Sequence, residues 1–148
     1  MDDARYRGLQ VAVLWLALVV GMSLHFAYDV SGIRYGLAFE APGADGTVPW
    51  SNFVVKGLFY VLPFLLAVVA SAGPGRAWRR VNLGLAALFL LPNAAHVLGT
   101  ARAAESVLGY AQILLLSALF LANVQLVRAS RAWAAAGTGA AADAQQAS

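Results

Sequence analysis

Four apolar stretches dominate this chain, and each is close to the roughly 20 residues that a helix needs to cross about 30 Å of hydrocarbon. The predicted spans are residues 9–29, 51–72, 81–100 and 106–127. Of the 148 residues, 61% are hydrophobic and only 11% are charged, whereas soluble domains carry about 25% charged residues. A soluble chain this short would leave too much apolar surface in water. The sequence therefore predicts an all-α polytopic membrane protein with four transmembrane helices in an up-down bundle.

The positions of the arginines predict the orientation of these helices. One side of the predicted bundle carries most of the arginines, namely Arg5, Arg7, Arg76, Arg79, Arg80, Arg128 and Arg131, and the other carries Arg34 and Arg102. Loops on the cytoplasmic side of membrane proteins are enriched in Lys and Arg. The N- and C-termini are accordingly predicted to be cytoplasmic, in a bacterial-type inner (plasma) membrane.

The remaining composition excludes several classes of function. The formal net charge is +3, but the basic residues flank apolar runs instead of forming one patch, so we expect no nucleic-acid partner. The chain contains no cysteine, which excludes disulfides, thiolate metal sites and cysteine nucleophiles.

The domain organisation predicted from the sequence is simple. Residues 1–133 form one transmembrane domain, in which residues 30–50 are a long outer loop rich in Gly and Pro. Residues 134–148 are rich in Ala, Gly, Gln and Ser and are predicted to be a disordered cytoplasmic tail. Pro63 should kink the second predicted span, and Pro92 lies inside the third.

Polar side chains gather at the outer ends of the four predicted spans. Charged groups in hydrocarbon cost about 2.5–3.5 kcal/mol each on insertion scales, so such faces turn toward the bundle interior. Helical spacing places them on shared faces, as for the i,i+4 pair His25 and Asp29. We predict an outward-facing pocket, covered by residues 30–50 and lined by His25, Tyr28, Asp29, Asn52, Lys56, Tyr60, Asn93, His96 and Gln112.

A purely structural interpretation is equally open for these residues. His, Lys and Asp near a helix end can extend to the headgroups, and Asn and Gln often hydrogen-bond between membrane helices. For Asn82, Asn123 and Gln125, which lie closer to the cytoplasmic side, we predict such interhelical hydrogen bonds.

The pocket has several open interpretations, and no motif specifies a catalytic residue or settles whether the protein is an enzyme. We favour binding of a lipid-soluble or small ligand. His25 and His96, the two histidines of the chain, could instead hold b-type haem, or bind a divalent metal together with Asp29. Asp29 could also orient His25 for proton transfer beside Lys56. The remaining interpretation is an accessory or anchor subunit without chemistry, paired with another membrane subunit or with itself.

The segment from Leu24 to Gly32 reads LHFAYDVSG. It resembles the end of the first helix in a family of small bacterial four-helix membrane proteins of unknown function, which carry an LHFxYxxSG stretch. In that family a Trp-Glu-His-x-Lys-like segment opens the second helix; here Trp50-Ser51-Asn52 and Lys56 resemble it, without the Glu and His and with the Lys displaced. The resemblance covers the first half of the chain and implies no particular activity.

Overall fold

The apolar runs fold into helices that extend beyond the runs themselves. The structure is a computed structural model, and it describes residues 2–36, 43–104 and 107–136. Within these residues four helical segments are long and apolar enough to cross a membrane: Asp3–Tyr35, Trp50–Ser71, Arg76–Ala103 and Val107–Ala135. This confirms the predicted all-α architecture with four candidate spans, which we number one to four in chain order.

Six α-helices build these spans. Span one is α1 (Asp3–Ser31), followed by a 3-10 turn at Gly32–Tyr35, and span four is the single helix α6 (Val107–Ala135). Span two consists of α2 (Trp50–Lys56), a π-helical turn (Gly57–Val61) and α3 (Leu62–Ser71), and span three of α4 (Arg76–Leu88) and α5 (Leu90–Ala103). The side chain of Asp2 caps α1 by accepting a 2.7 Å hydrogen bond from the backbone N–H of Arg5.

Both irregular positions lie just before a proline. The π-helical turn of span two ends two residues before Pro63, and span three is interrupted at Phe89, three residues before Pro92. Proline lacks a backbone N–H and its ring clashes with the carbonyl of the preceding turn, so regular helix is lost on its N-terminal side. The irregular turn expected from Pro63 is therefore present, and Pro92 is preceded by one as well.

Helices α1 and α6 form the centre of the bundle. Helix α1 packs against α6 and α3, and α6 also packs against α4 and α5. The core between them is apolar and includes Trp15, Phe89 and Leu126. The rings of Trp15 and Phe89 meet edge to face, with centroids 5.2 Å apart.

The fourth helix is longer than hydropathy predicted. It continues past residue 127 to Ala135, so Trp133 belongs to this helix and is 1% exposed. Charged residues end a hydropathy window, but they do not end a helix, because Arg is a good helix former. Residues 134–136 thus complete this helical end, and the predicted disorder of the rest of the tail concerns residues 137–148, outside the described residues.

The predicted outer loop is partly helical. Residues 30–35 extend span one, residues 43–49 are exposed, and residues 37–42 lie outside the described part of the chain. Thr47 donates hydrogen bonds to the Asp45 carboxylate from its hydroxyl (2.6 Å) and from its backbone N–H (2.9 Å). These bonds hold the pKa of Asp45 below its usual value, since they favour the ionised carboxylate. That this loop covers a pocket stays a prediction.

Candidate functional site

Four of the nine predicted pocket residues meet at one end of the bundle. They are His25 and Asp29 from α1, His96 from α5 and Gln112 from α6, and we call them the histidine cluster. They lie at the opposite end from the arginines near the start of α1 and the end of α6. Three spans therefore contribute side chains to one site, as the helical phases predicted.

The centre of the cluster is a contact between the two histidines. Their Nε2 atoms are 3.1 Å apart and their rings are nearly perpendicular, with centroids 4.7 Å apart. His25 is 9% exposed. Its Nδ1 atom is buried and has no hydrogen-bond partner among the described residues. A buried polar atom without a partner costs about 1–3 kcal/mol, so a bound water or ligand at this atom would be stabilising.

Asp29 and Gln112 form the outer part of the cluster. The Gln112 amide donates a hydrogen bond to one carboxylate oxygen of Asp29. The other carboxylate oxygen lies 4.0 Å from Nε2 of His25, one helical turn below. Asp29 is thus held by α6 within 4.0 Å of the His25 ring.

A small cavity adjoins the cluster. It has a volume of about 210 Å³, and its lining includes His25, Asp29, Thr100 and Gln112. Ligand pockets for drug-sized molecules usually have volumes of about 300–1,000 Å³. The space therefore suits a small molecule, or only the polar headgroup of a larger one.

The π-helical turn of span two supports the cluster from the side. It carries Phe59, whose ring lies 6.4 Å from that of His96 and 6.1 Å from that of Phe89, measured between centroids. It also carries Tyr60, which donates a 3.2 Å hydrogen bond to the backbone carbonyl of Met22 on α1. π-helical turns inside α-helices are frequent at functional sites. Here the turn places the ring of Phe59 beside His96.

The contact between the histidines restricts their protonation states. One Nε2 must donate and the other must accept, so the contact as observed cannot hold a proton on both Nε2 atoms. The pair can therefore carry one positive charge or none without losing the contact. A pair of this kind can accept a proton from a ligand in the cavity or return one to it.

The arrangement fits haem poorly. In bis-histidine haem the iron lies between the two coordinating nitrogens, and metal–imidazole bonds are each about 2 Å long. Here the two Nε2 atoms contact each other directly at 3.1 Å. The rings would have to separate before a porphyrin could enter between them.

The arrangement also fits a metal ion only in part. Among the described residues no group of three or more His, Cys, Asp or Glu side chains is placed to hold a metal ion. The two histidines would supply two ligands, whereas zinc sites use three or four protein ligands.

The other predicted pocket residues lie elsewhere. Lys56 and Tyr60 line a separate groove of about 320 Å³ together with Ser23 and Phe26 of α1. Among the described residues, the side chains of Tyr28 and Asn52 form no hydrogen bond or ion pair with the cluster. Asn93 points to the bundle core, where its amide donates a 2.6 Å hydrogen bond to Asn123.

The buried amides form interhelical connections. The Asn123 amide donates to the backbone carbonyl of Ala86 at 3.0 Å. Asn82 accepts a 2.8 Å hydrogen bond from the indole of Trp15 and donates one of 2.8 Å to Ser130. These contacts confirm the structural role predicted for Asn82 and Asn123. Gln125 is exposed and, among the described residues, forms no hydrogen bond, so the same prediction is wrong for it.

Sequence reasoning missed two residues of this core. Trp15 and Ser130 complete the hydrogen bonds of Asn82, but a tryptophan and a serine within apolar helices carry no signal of pairing. Their positions become informative only when Asn82 is known to lie between them.

Comparisons with known proteins do not assign a function to this site. No protein-family model matches the chain, and no curated protein or solved structure is significantly similar to it.

Proposed function

We propose that this chain is an integral protein of a bacterial-type plasma membrane, and that its histidine cluster binds a small ligand or the polar headgroup of a lipid-soluble one. In this proposal the N- and C-termini are cytoplasmic and the cluster faces outward. We also propose that the chain is related to the LHFxYxxSG family, because residues 24–32 resemble that segment.

The surface of the bundle supports insertion into a membrane. Large apolar side chains are exposed along each of the four spans, for example Val13 (62%), Phe64 (50%), Leu91 (69%) and Leu114 (74%). Soluble proteins rarely expose continuous apolar surface on this scale. Lipid is the environment in which such a surface is stable.

The orientation is supported by the distribution of charge. Seven arginines lie toward the end of the bundle where α1 begins and α6 ends, against Arg34 and Arg102 toward the other end. The positive-inside rule then places the histidine cluster on the outer side.

The single observation that carries ligand binding is the part-buried histidine pair beside a cavity. One ring nitrogen of His25 has no partner in the part of the chain that the structure describes, and the adjoining space of about 210 Å³ is lined partly by Asp29 and Gln112. A ligand with a hydroxyl, carbonyl or amine group would find both donors and acceptors there.

The test is to identify what the protein retains when it is purified in a mild detergent. Extracted small molecules are analysed by mass spectrometry for the wild type, His25→Gln and His96→Gln, with Tyr28→Phe as a matched control on α1. We expect one molecule at near-stoichiometric amount in the wild type and the control, and its loss in both histidine variants. Equal retention in all four proteins, or no retained molecule in any, contradicts the proposal.

The same samples distinguish the cofactor interpretations. Absorption spectra are recorded for the oxidised and dithionite-reduced protein, together with elemental analysis. A Soret band that shifts on reduction and disappears in the histidine variants would assign b-type haem in place of an organic ligand. Stoichiometric zinc or manganese would assign a metal site.

A further inference from the structure

A second groove lies at the arginine end of the bundle, far from the histidine cluster. It runs between the start of α1 and the end of α6 and has a volume of about 660 Å³. We call it the basic groove, and the residues that matter here are Tyr6, Gln10, Val13, Leu14, Gln125 and Arg128. None of these residues belongs to the proposed ligand site.

Three polar side chains of the basic groove can reach its membrane-surface end. Tyr6 and Gln10 occupy the second and third turns of α1, whereas Arg128 lies about two turns before the end of α6 at Ala135 and reaches that level only through its long side chain. Tyr side chains are enriched at the level of the lipid headgroups, and Arg side chains extend to the same level. This end of the groove therefore presents a cation and several hydrogen-bond donors at headgroup depth.

The deeper end of the basic groove is apolar. From Tyr6 to Val13 the helix rises by about 10 Å, which carries the groove from the headgroups into hydrocarbon. Val13 is 62% exposed, and Leu14 lies beside it. A surface with this division matches a phospholipid, whose charged head and acyl chain are separated by a similar distance.

The positive charge of Arg128 is available to a ligand. It is exposed, and among the described residues it forms no ion pair or hydrogen bond. The acids at the start of α1 are engaged elsewhere, because Asp3 pairs with Arg7 at 2.8 Å and Asp2 caps α1. An uncompensated arginine at this depth favours an anionic headgroup.

Charge also disfavours a second copy of this chain as the occupant. A two-fold interface places the same patch of both subunits face to face. Arg128 would then approach its own copy, with no described acid available to separate the two charges. Basic pockets between membrane helices bind anionic lipid headgroups in other proteins.

We infer that the basic groove binds one anionic phospholipid of the surrounding leaflet, with its phosphate at Arg128 and an acyl chain along Val13 and Leu14. The test uses the full-length protein in detergent micelles, with phosphatidylglycerol and phosphatidylcholine of identical acyl chains as probes. Native mass spectrometry measures the fraction of protein that carries one lipid.

Both lipids carry the phosphate, but the trimethylammonium group of phosphatidylcholine repels Arg128 and cancels the net charge of that headgroup. The wild type is therefore expected to bind phosphatidylglycerol about tenfold more tightly than phosphatidylcholine. Arg128→Gln should abolish that preference. Arg131→Gln, which removes a charge three residues away but outside the groove, should retain it. Val13→Trp fills the exposed apolar end without touching the core and should weaken binding of both lipids.

Three results would overturn the inference. The first is equal affinity of the wild type for the two lipids, and the second is an equal loss in Arg128→Gln and Arg131→Gln. The third is a disulfide-linked dimer of Val13→Cys in a chain that has no other cysteine, because this would assign the groove to a second copy.

Discussion

Close helix contact in this bundle depends on individual glycines of α1. An ideal Cβ at Gly8 would lie 2.9 Å from the backbone carbonyl oxygen of Ala70 and 3.2 Å from the ring of Trp133. At Gly21 it would overlap a methyl carbon of Leu119. Small residues let membrane helices approach until their backbones touch. A Cβ at Gly8 is harder to accommodate than one at Gly21, because a backbone carbonyl cannot rotate away as a leucine side chain can.

Gly8→Ala is therefore predicted to destabilise the protein by about 1–3 kcal/mol, as overpacking of a close contact does. Gly84→Ala is the matched control, since a Cβ there meets no atom within 4 Å. That substitution should be neutral or stabilising by up to about 1 kcal/mol, because alanine favours helix over glycine. Thermal unfolding in detergent measures both, and equal midpoints would refute the close contact.

The Asn82 amide is a second residue on which the packing depends. It joins spans one, three and four through Trp15 and Ser130. Asn82→Leu should cost about 1–2 kcal/mol, because two buried polar groups lose their partner in a medium without water. Gln125→Leu, at an exposed position without a hydrogen bond, should change stability by less than about 0.5 kcal/mol. Chemical unfolding of both variants checks the difference, which should vanish if the amide connection does not form.

At the scale of an element, the end of α6 is held by the start of span three. Arg79 donates hydrogen bonds to the backbone carbonyls of Pro74 (3.1 Å) and Ala136 (3.1 Å). Its guanidinium carbon lies 5.6 Å from the centroid of the Trp133 ring. A cation that satisfies terminal carbonyls stabilises the C-terminal end of a helix. This explains why α6 remains ordered beyond its hydrophobic run.

Arg79→Ala should consequently loosen the last turns of α6. We expect amide hydrogen exchange at residues 130–136 to accelerate about tenfold, which corresponds to roughly 1.4 kcal/mol of lost local stability. Arg80→Ala removes the neighbouring exposed arginine, which has no such contacts among the described residues, and should leave those rates unchanged. Similar acceleration in both variants would mean that general charge, not this contact, orders the helix end.

At the scale of the whole molecule, the two ends of the bundle differ in chemistry. One end carries most of the arginines and the basic groove, and the other carries the histidine cluster and its cavity. If the protein lies in the membrane as proposed, lipid recognition and ligand binding are on opposite faces of the membrane.

The orientation can be tested with single cysteines, because the natural chain has none. Ala44→Cys lies in the exposed loop at the histidine end, and Ala77→Cys lies at the arginine end. A membrane-impermeant maleimide added to intact cells should label Ala44→Cys and should reach Ala77→Cys only after lysis. The reverse pattern would invert the proposed topology and place the histidine cluster in the cytoplasm.

Hydropathy and helical period were sufficient to predict the four candidate spans, because a long apolar helix leaves a strong local signal at each residue. They also grouped His25, Asp29, His96 and Gln112 at one end of the bundle, where the structure brings them together. Local signals failed at helix ends, where Arg79 and Trp133 extend α6 through contacts between residues distant in sequence.

The order in which helices become neighbours was decided only by the tertiary structure. Lys56 and Asn93 have suitable depth for the pocket, yet span two turns Lys56 toward a groove on α1, and Asn93 pairs with Asn123. Depth and phase are properties of one helix, whereas a site requires that particular faces of several helices meet. That choice depends on close packing, such as the contact of Gly8 with α3 and α6, for which a hydrophobic pattern contains no information.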